Sequence, residues 1–101
     1  MPVINHIVLI KLSDVSRRDF CVAQLQSLER LDNCESIVVA PELGSAPNRW
    51  DIAVISQHRD ATQLEAFRVD EFHRQIGGEV APFVEAMSSV DFASDRVEVS
   101  A

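Results

Sequence analysis

The segment from residue 3 to residue 12 (VINHIVLIKL) carries apolar side chains at both odd and even positions. One set of alternating positions holds Ile4, His6, Val8, Ile10 and Leu12, and the other holds Val3, Asn5, Ile7 and Leu9. Alternate side chains of a strand point to opposite faces of its sheet, and a largely apolar face has to be covered. The pattern therefore predicts a β-strand that is covered on both faces.

Two later regions show the spacing of amphipathic helices. The first begins at Ser16, with Asp19 three residues later in a capping-box-like arrangement. Its apolar stripe is formed by Phe20, Cys21, Leu25, Leu28 and Leu31. The second begins at Asp60, with Gln63 three residues on, and carries Leu64 and Phe67. Both patterns predict helices that pack one face against a sheet.

The second helical region continues into a further apolar stripe. This stripe is formed by Phe72, Ile76, Val80, Phe83, Val84 and Met87. Gly77, Gly78 and Pro82 interrupt it without changing its phase, which predicts a kinked helix over residues 72–87. The glycine pair lacks the motif of a phosphate-binding loop. We expect it either to let helix and sheet approach closely or to kink the helix.

Three more strands complete the pattern, over residues 36–44, 50–58 and 88–99. Pro41 cannot donate a ladder hydrogen bond, so it predicts an edge position or a bulge in the second strand. Trp50, at the start of the third strand, is interpreted as a packing residue. The order βαββαβ predicts one α+β domain over residues 1–101, a ferredoxin-like sandwich with both helices on one face of the sheet. The other face needs a cover, and a second copy of the chain is the simplest one.

Charge and composition narrow the classes of partner. The 101 residues carry a formal net charge of −7, which argues against binding to nucleic acid or to an anionic membrane surface. The apolar start is too short to span a bilayer and does not resemble a signal peptide. Cys21 and Cys34 form no CxxC pair, which favours reduced thiols and a cytoplasmic location.

His73 lies on the apolar arc of the second helical region, near the edge of that arc, so it is predicted to face the sheet. In this topology His6 and His58 approach the same end of the helix–sheet layer. His73 is then either a hydrogen-bonded core residue or the functional residue of a site that it shares with His6. His58 is followed by Arg59 and Asp60 and is predicted to be exposed to solvent. The three histidines lack HxH or HxxxH spacing, so we expect no metal.

Three stretches carry a resemblance to a known family: NHIVLIKL (residues 5–12), WDIAVIS (50–56) and FRVDEFHRQIGGEVAPFVEAMSSVDFA (67–93). Over residues 3–93 the chain resembles the stress-responsive α/β-barrel (Dabb) family. The resemblance implies ferredoxin-like subunits that pair sheet to sheet as a dimeric α+β barrel. It also implies that no cofactor is needed, because a member that forms olivetolic acid closes a polyketide chain without metal or organic cofactor.

By the same resemblance, His73 corresponds to the catalytic base of that cyclase and His6 to a residue of the pocket wall. The assisting tyrosine of the cyclase is replaced by Phe67, and Asp70 stands in place of the first histidine of the family's HPAH motif. A phenyl ring cannot donate a hydrogen bond to a developing enolate. The residues expected to bind substrate are His6, Val8, Ile10, Val54 and Phe67.

Three function classes stay open at this point. The first is a homodimer that binds a small apolar or aromatic molecule and, if it is an enzyme, acts as a cyclase, lyase or isomerase with His73 as acid or base. The second is a stress-related structural or assembly protein without catalysis. The third is a cofactorless monooxygenase. The space between His6 and His73 distinguishes the first two, since a ligand needs a cavity there and a structural role needs close packing.

Overall fold

The computed structural model describes residues 2–44 and 49–95. The strands are β1 (Pro2–Leu12), β2 (Ser36–Pro41), β3 (Ile52–His58) and β4 (Val84–Asp95). The helices are α1 (Arg18–Gln26), α2 (Ala61–Val69) and α3 (Glu71–Val80), and short 3₁₀ turns cover Val15–Arg17, Ser27–Arg30 and Ala81–Phe83.

The four strands form one antiparallel sheet in the order β2–β3–β1–β4. The helices pack on one face, where they bury a core that includes Ile10, Leu12, Cys21, Leu25, Leu28, Ile52, Phe67, Ile76 and Val80. This arrangement confirms the predicted α+β ferredoxin-like fold. It also places β2, with Pro41 as its last residue, at the edge of the sheet as expected. Within the described ranges, no helix has the length and apolar character required to cross a membrane.

The end of the second helical region differs from the prediction. Helix α3 ends at Val80 and a 3₁₀ turn containing Pro82 follows, so Val84 and Met87 belong to β4. The reason is the length of β1, whose backbone pairs as far as Lys11 with Ala86 and Leu12 with Val84. Apolar residues of the strand happened to continue the phase of the helix, and Met87 is in fact 63% exposed. The predicted tail of this strand, residues 96–99, lies outside the described residues.

Two helix starts can be compared with their predictions. Asp60 caps α2, since its carboxylate accepts a hydrogen bond from the backbone N–H of Gln63 at 2.8 Å, which confirms the predicted cap. At the first helical region the predicted cap is wrong. The carboxylate of Asp14 accepts hydrogen bonds from both the backbone N–H and the hydroxyl of Ser16, and a 3₁₀ turn then leads into α1. Asp14 therefore caps the 3₁₀ turn, and α1 itself begins after Arg17 without a side-chain cap.

The two glycines of α3 also behave differently from the prediction. The helix continues through Gly77 and Gly78, and a Cβ atom placed on either residue would meet no atom within 4 Å outside the helix itself. They permit no close approach to the sheet, and they do not end the helix. The break in the second helical region lies instead at Asp70, between α2 and α3.

The sheet face turned away from the helices, here called the outer face, consists of rows that cross the strands. The central row, called the ridge, is formed by Ile7, Val38, Ile55 and Val90. On one side lies a row called the trough, with Ala40, Ala53, Leu9 and Ser88, in which the two alanines leave a recess on β2 and β3. On the other side lies the polar row of Ser36, Gln57 and Asn5, which ends on β4 at the exposed Phe92. The outer face is therefore largely apolar, with one polar border.

Candidate functional site

Three histidines from three elements gather at one end of the layer between helices and sheet. The rings of His6 and His58 are 6.5 Å apart between centroids, and the ring of Phe67 lies 5.0 Å from that of His58. The ring of His73 lies 4.6 Å from that of Phe67, in an edge-on arrangement. Residues of β1, β3, α2 and α3 thus form one continuous chain of ring contacts, as the topology led us to expect.

Of the three histidines, His58 is the one that is fully buried, with 0% of its surface exposed. Its Nδ1–H donates to the backbone carbonyl of Asn33 at 2.8 Å, and its Nε2 accepts from the hydroxyl of Ser56 at 2.8 Å. A carbonyl only accepts, so these partners assign the neutral tautomer with the proton on Nδ1. Burial lowers the pKa of His58 and keeps the ring neutral. His58 is a packed structural residue.

The prediction that His58 is exposed is therefore wrong. His58 follows the alternation of β3, in which Val54, Ser56 and His58 all point toward the helices. Arg59 and Asp60 come after the strand has ended, so their charge says nothing about the side on which His58 lies. The charged residues next to His58 in the sequence were misleading. The informative pattern was the alternation of side chains between the two faces of the strand.

His6 is held by two charged side chains that the sequence analysis missed. Its Nδ1 lies 2.5 Å from Oδ1 of Asp91, and the guanidinium of Arg68 binds the other carboxylate oxygen of Asp91. The carboxylate can only accept, so Nδ1 carries the proton. The hydrogen bond to His6 is the largest cause that lowers the pKa of Asp91, and Arg68 adds to it. The signal for this pair was the strand register, in which His6 of β1 lies opposite Asp91 of β4.

Nε2 of His6 is the ring nitrogen left for other contacts. Among the described residues, this atom makes no hydrogen bond. A histidine whose Nδ1–H is fixed by a carboxylate presents Nε2 as an acceptor, and the carboxylate compensates the charge when Nε2 takes a proton. The arrangement is suited to proton transfer at Nε2.

His73 occupies the first turn of α3. Asp70 caps this turn by accepting hydrogen bonds from the backbone N–H groups of Phe72 and His73, at 2.8 and 3.2 Å. The ring of His73 is half-buried and has no hydrogen-bond partner within the described part of the chain. Burial is the main cause that lowers the pKa of His73, the positive form of His6 lowers it further, and Asp70 opposes this. His73 is therefore neutral at pH 7.

The five residues expected to bind substrate fall into two groups. His6 and Val8 lie on the helix side of β1, with His6 buried and Val8 half-buried. Ile10, Val54 and Phe67 are 3%, 6% and 1% exposed and belong to the core cluster. Ile10 and Val54 pack beneath the helices in this structure, whereas the ring of Phe67 also contacts His58 and His73. The histidine group is thus adjacent to His6, Phe67 and Val8.

Two concavities of the surface lie away from the histidines. One of about 320 Å³ is lined by Leu9, Ala40, Ala53, Trp50 and neighbouring residues at the trough of the outer face. A more open one lies on the solvent side of α3, beside Val69, Glu71, Arg74 and Gln75. Neither contains a histidine, so neither supplies the ligand-sized cavity between His6 and His73 that the first function class requires. Within residues 2–44 and 49–95, no three His, Cys, Asp or Glu side chains are grouped to hold a metal ion.

Comparisons with solved structures agree on the fold. A dimeric ferredoxin-like protein of unknown function from Thermobifida fusca YX is 22% identical over 92% of each chain, with a TM-score of 0.81. A Dabb family protein with a ferredoxin-like fold from Mesorhizobium loti is 13% identical over 91% of this chain and 96% of its own, with a TM-score of 0.73. The hydroxynitrile lyase of Passiflora edulis is 13% identical over 95% of this chain and 96% of its own, with a TM-score of 0.77.

A search of curated proteins found no match. The comparison with family models is more informative, because a single model covers residues 4–94. That range includes β2 and β3 in full, all but the terminal residues of β1 and β4, the three histidines and Asp91. The chain therefore belongs to the stress-responsive A/B barrel domain (Dabb) family.

Proposed function

We propose that this protein is a homodimeric α+β barrel that binds a small apolar or aromatic molecule beside His6 and His73 and transfers protons to and from it. The observation that carries the proposal is the hydrogen bond between Asp91 and His6 next to a second, neutral histidine. A purely structural histidine resembles His58, with both ring nitrogens bonded. His6 and His73 instead leave ring nitrogens without partners in the described structure.

In this proposal His73 is the acid/base residue and His6 the positioned binding group that can share its proton. Because burial holds His73 neutral, the ring can accept a proton at neutral pH from a carbon or hydroxyl group of the ligand. His6 then accepts a hydrogen bond at Nε2 from a hydroxyl group of the ligand, while Asp91 and Arg68 fix the orientation of its ring. Reactions of this kind are isomerisations, cyclisations and lyase-type cleavages, and they need no group beyond these side chains.

Access to His73 requires the side chains around it to move. The break at Asp70 separates α2 from α3, and neighbouring Val69 is exposed. Displacement of the start of α3 would open a space bounded by His6, Val8 and Phe67. The proposed site is therefore one that opens when a ligand binds.

The site can be tested without knowing the natural substrate. In D₂O, exchange of the α-protons of acetophenone reports proton abstraction by NMR, and the histidine ring signals report binding of the same probe. We expect wild-type protein to accelerate exchange and His73→Gln to lower the rate by about 10²–10⁴-fold. Asp91→Asn should give an intermediate loss, because it releases His6 without removing either ring.

Arg74→Gln is the matched control, since Arg74 is exposed on the same helix one residue away. It should exchange protons at the wild-type rate. Equal rates for wild type, His73→Gln and buffer, with no shift of the His6 and His73 signals, would reject the proposal. That result would favour the non-catalytic structural role.

The dimer is the second part of the proposal. Val38, Ile55 and Val90 of the ridge are 57%, 37% and 52% exposed in the single chain, and Phe92 beside them is also exposed. An apolar face of this size on a monomer is unusual. Several similar structures are described as dimeric, from Thermobifida fusca, Bacteroides fragilis and Jannaschia. Sedimentation at micromolar concentration should give twice the mass of the chain, and a monomer would refute this part.

We also propose a reducing compartment, the cytoplasm. Cys21 and Cys34 are both free thiols. Burial raises the pKa of each thiol, so neither is a reactive thiolate. Thiol labelling of protein taken directly from cells should find both cysteines reduced, and a disulfide in that protein would argue against this location.

A further inference from the structure

The outer face has a relief that fits a copy of itself. The ridge places a β-branched residue on every strand, whereas the trough beside it has alanine on β2 and β3, at Ala40 and Ala53. Ala40 and Ala53 line a concavity of about 320 Å³ together with Leu9, Trp50 and neighbouring residues. On β2 and β3, a raised row and a recessed row thus run side by side.

We propose, on the basis of the homodimer proposed above, that the ridge residues Val38 and Ile55 of each subunit fill the recess at Ala40 and Ala53 in the trough of the other. A twofold axis that runs across the strands between the two rows forms this contact twice. It places Ile55 of one subunit over Ala53 of its partner, because positions along a row are preserved by such an axis. The concavity at the trough is then a seat for the partner's side chains.

The border on the other side of the ridge selects this register. Gln57 donates to Asn5 at 2.9 Å, Asn5 donates to Ser94 at 2.7 Å, and Ser36 donates to Gln57 at 3.1 Å. These polar groups satisfy each other and offer no recess. A partner shifted toward the polar row would leave the apolar trough empty, and an unfilled apolar cavity costs stability.

The charges near the trough agree with an apolar occupant. Glu42 and Arg49 line the same concavity and are bonded to each other at 2.7 Å, so they do not require a charged partner. The proposed axis also brings the partner's Lys11 toward the polar row. A charged side chain then meets hydrogen-bonding groups instead of the ridge, as at the polar rim of known interfaces.

The test is a double-mutant cycle on β3, with the dimer dissociation constant measured by analytical ultracentrifugation. Ala53→Phe fills the trough and should weaken the dimer about 100-fold or more, and Ile55→Ala trims the ridge and should weaken it about tenfold. The two changes in one chain should recover at least about tenfold relative to Ala53→Phe alone, because the smaller ridge makes room for the larger trough residue.

Two controls keep the result interpretable. Ala66→Phe adds the same ring at an exposed position of α2 and should leave the dimer unchanged. Thermal melts show whether each variant folds, and Ala40→Phe fills the trough from β2 if Ala53→Phe does not fold. A dimer that is insensitive to both trough variants overturns this inference and leaves the homodimer standing. A wild-type monomer overturns both the homodimer and this inference. Additive effects of the two substitutions, without recovery, overturn the ridge-in-trough contact alone.

Discussion

His58 and His73 both contact the phenyl ring of Phe67, and yet they are held in different ways. His58 is fully buried, and both of its ring nitrogens are bonded, to Asn33 and Ser56. His73 is half-buried, and its ring nitrogens have no hydrogen-bond partner in the described structure. A buried polar ring is stable only when its hydrogen bonds are made, so the first is part of the fold. The second is available for a ligand.

The difference separates two meanings of an inward-facing histidine. Burial is the main cause that lowers the pKa of both rings. The direction of the pKa shift therefore does not distinguish a structural from a functional residue. The partners of the ring nitrogens do. His6 is intermediate between these two cases, because Asp91 binds its Nδ1 while its Nε2 has no partner in the described structure. The four predictions that follow test this distinction, beginning with the largest effect.

Replacement of His58 by alanine should have the largest effect on stability. It leaves the carbonyl of Asn33 and the hydroxyl of Ser56 without their partner and opens a cavity in the core. We expect the free energy of unfolding to fall by about 3 kcal/mol. Urea denaturation should show a lower midpoint with an unchanged slope. A loss below about 0.5 kcal/mol would show that the two bonds contribute little, and the contrast with His73 would fail.

Mild acid should destabilise the protein through the same two rings. The pKa values of His58 and His73 are lowered by folding, so the folded chain binds fewer protons than the unfolded chain just below about pH 6.5. Stability is therefore full above that pH and falls as the pH decreases toward the folded pKa values. The slope is at most about 1.4 kcal/mol per pH unit for each histidine.

The groups that act on His58 are His6, Asp91 and Arg68, and those that act on His73 are His6 and Asp70. The lowered pKa of Asp91 affects stability only near and below pH 4. Urea titrations at pH 7.5 and 5.5 measure the effect, and His73→Gln should reduce the difference between the two. An equal difference in wild type and His73→Gln would mean that His73 is not shifted.

Stiffening the helix that carries His73 should have a smaller, stabilising effect. Gly77 and Gly78 lie in the middle of α3 with room for a methyl group. Each substitution by alanine should raise the free energy of unfolding by about 0.5–1 kcal/mol. Hydrogen exchange at the start of α3 should slow at the same time. If exchange there does not change, the opening of the proposed site is independent of the helix.

The smallest effect is expected for His73→Gln. Since no described group loses a ring hydrogen bond, the melting temperature should stay within about 2 °C of wild type. A decrease of 4–8 °C, which corresponds to about 1 kcal/mol in a domain of this size, would place His73 with His58 as a structural residue. Together with the stability of His58→Ala, this melting temperature is the most direct check of whether His58 is structural and His73 is not.

Several features of this protein follow from local pattern. The order of strands and helices, the edge position of Pro41 and the cap at Asp60 all depend on residues within a few positions of each other. The phase of the apolar stripe also placed His73 on a half-buried side of its helix, where its ring contacts Phe67. The same method failed at Val84 and Met87, where the pairing of β4 with β1 determines the structure. A helical period cannot reveal a hydrogen bond to a distant strand.

The sequence by itself determined the fold class, the two-sided apolar β1 and the presence of histidines on inward-facing positions, because these depend on side-chain periodicity alone. The tertiary structure decided that both ring nitrogens of His58 are bonded and that those of His73 have no partner among the described residues. Asp91 lies 85 residues from His6 along the chain, and Asn33 lies 25 residues from His58. Contacts over such separations depend on strand register and on how the helices close over the sheet, and neither is a local property of the chain.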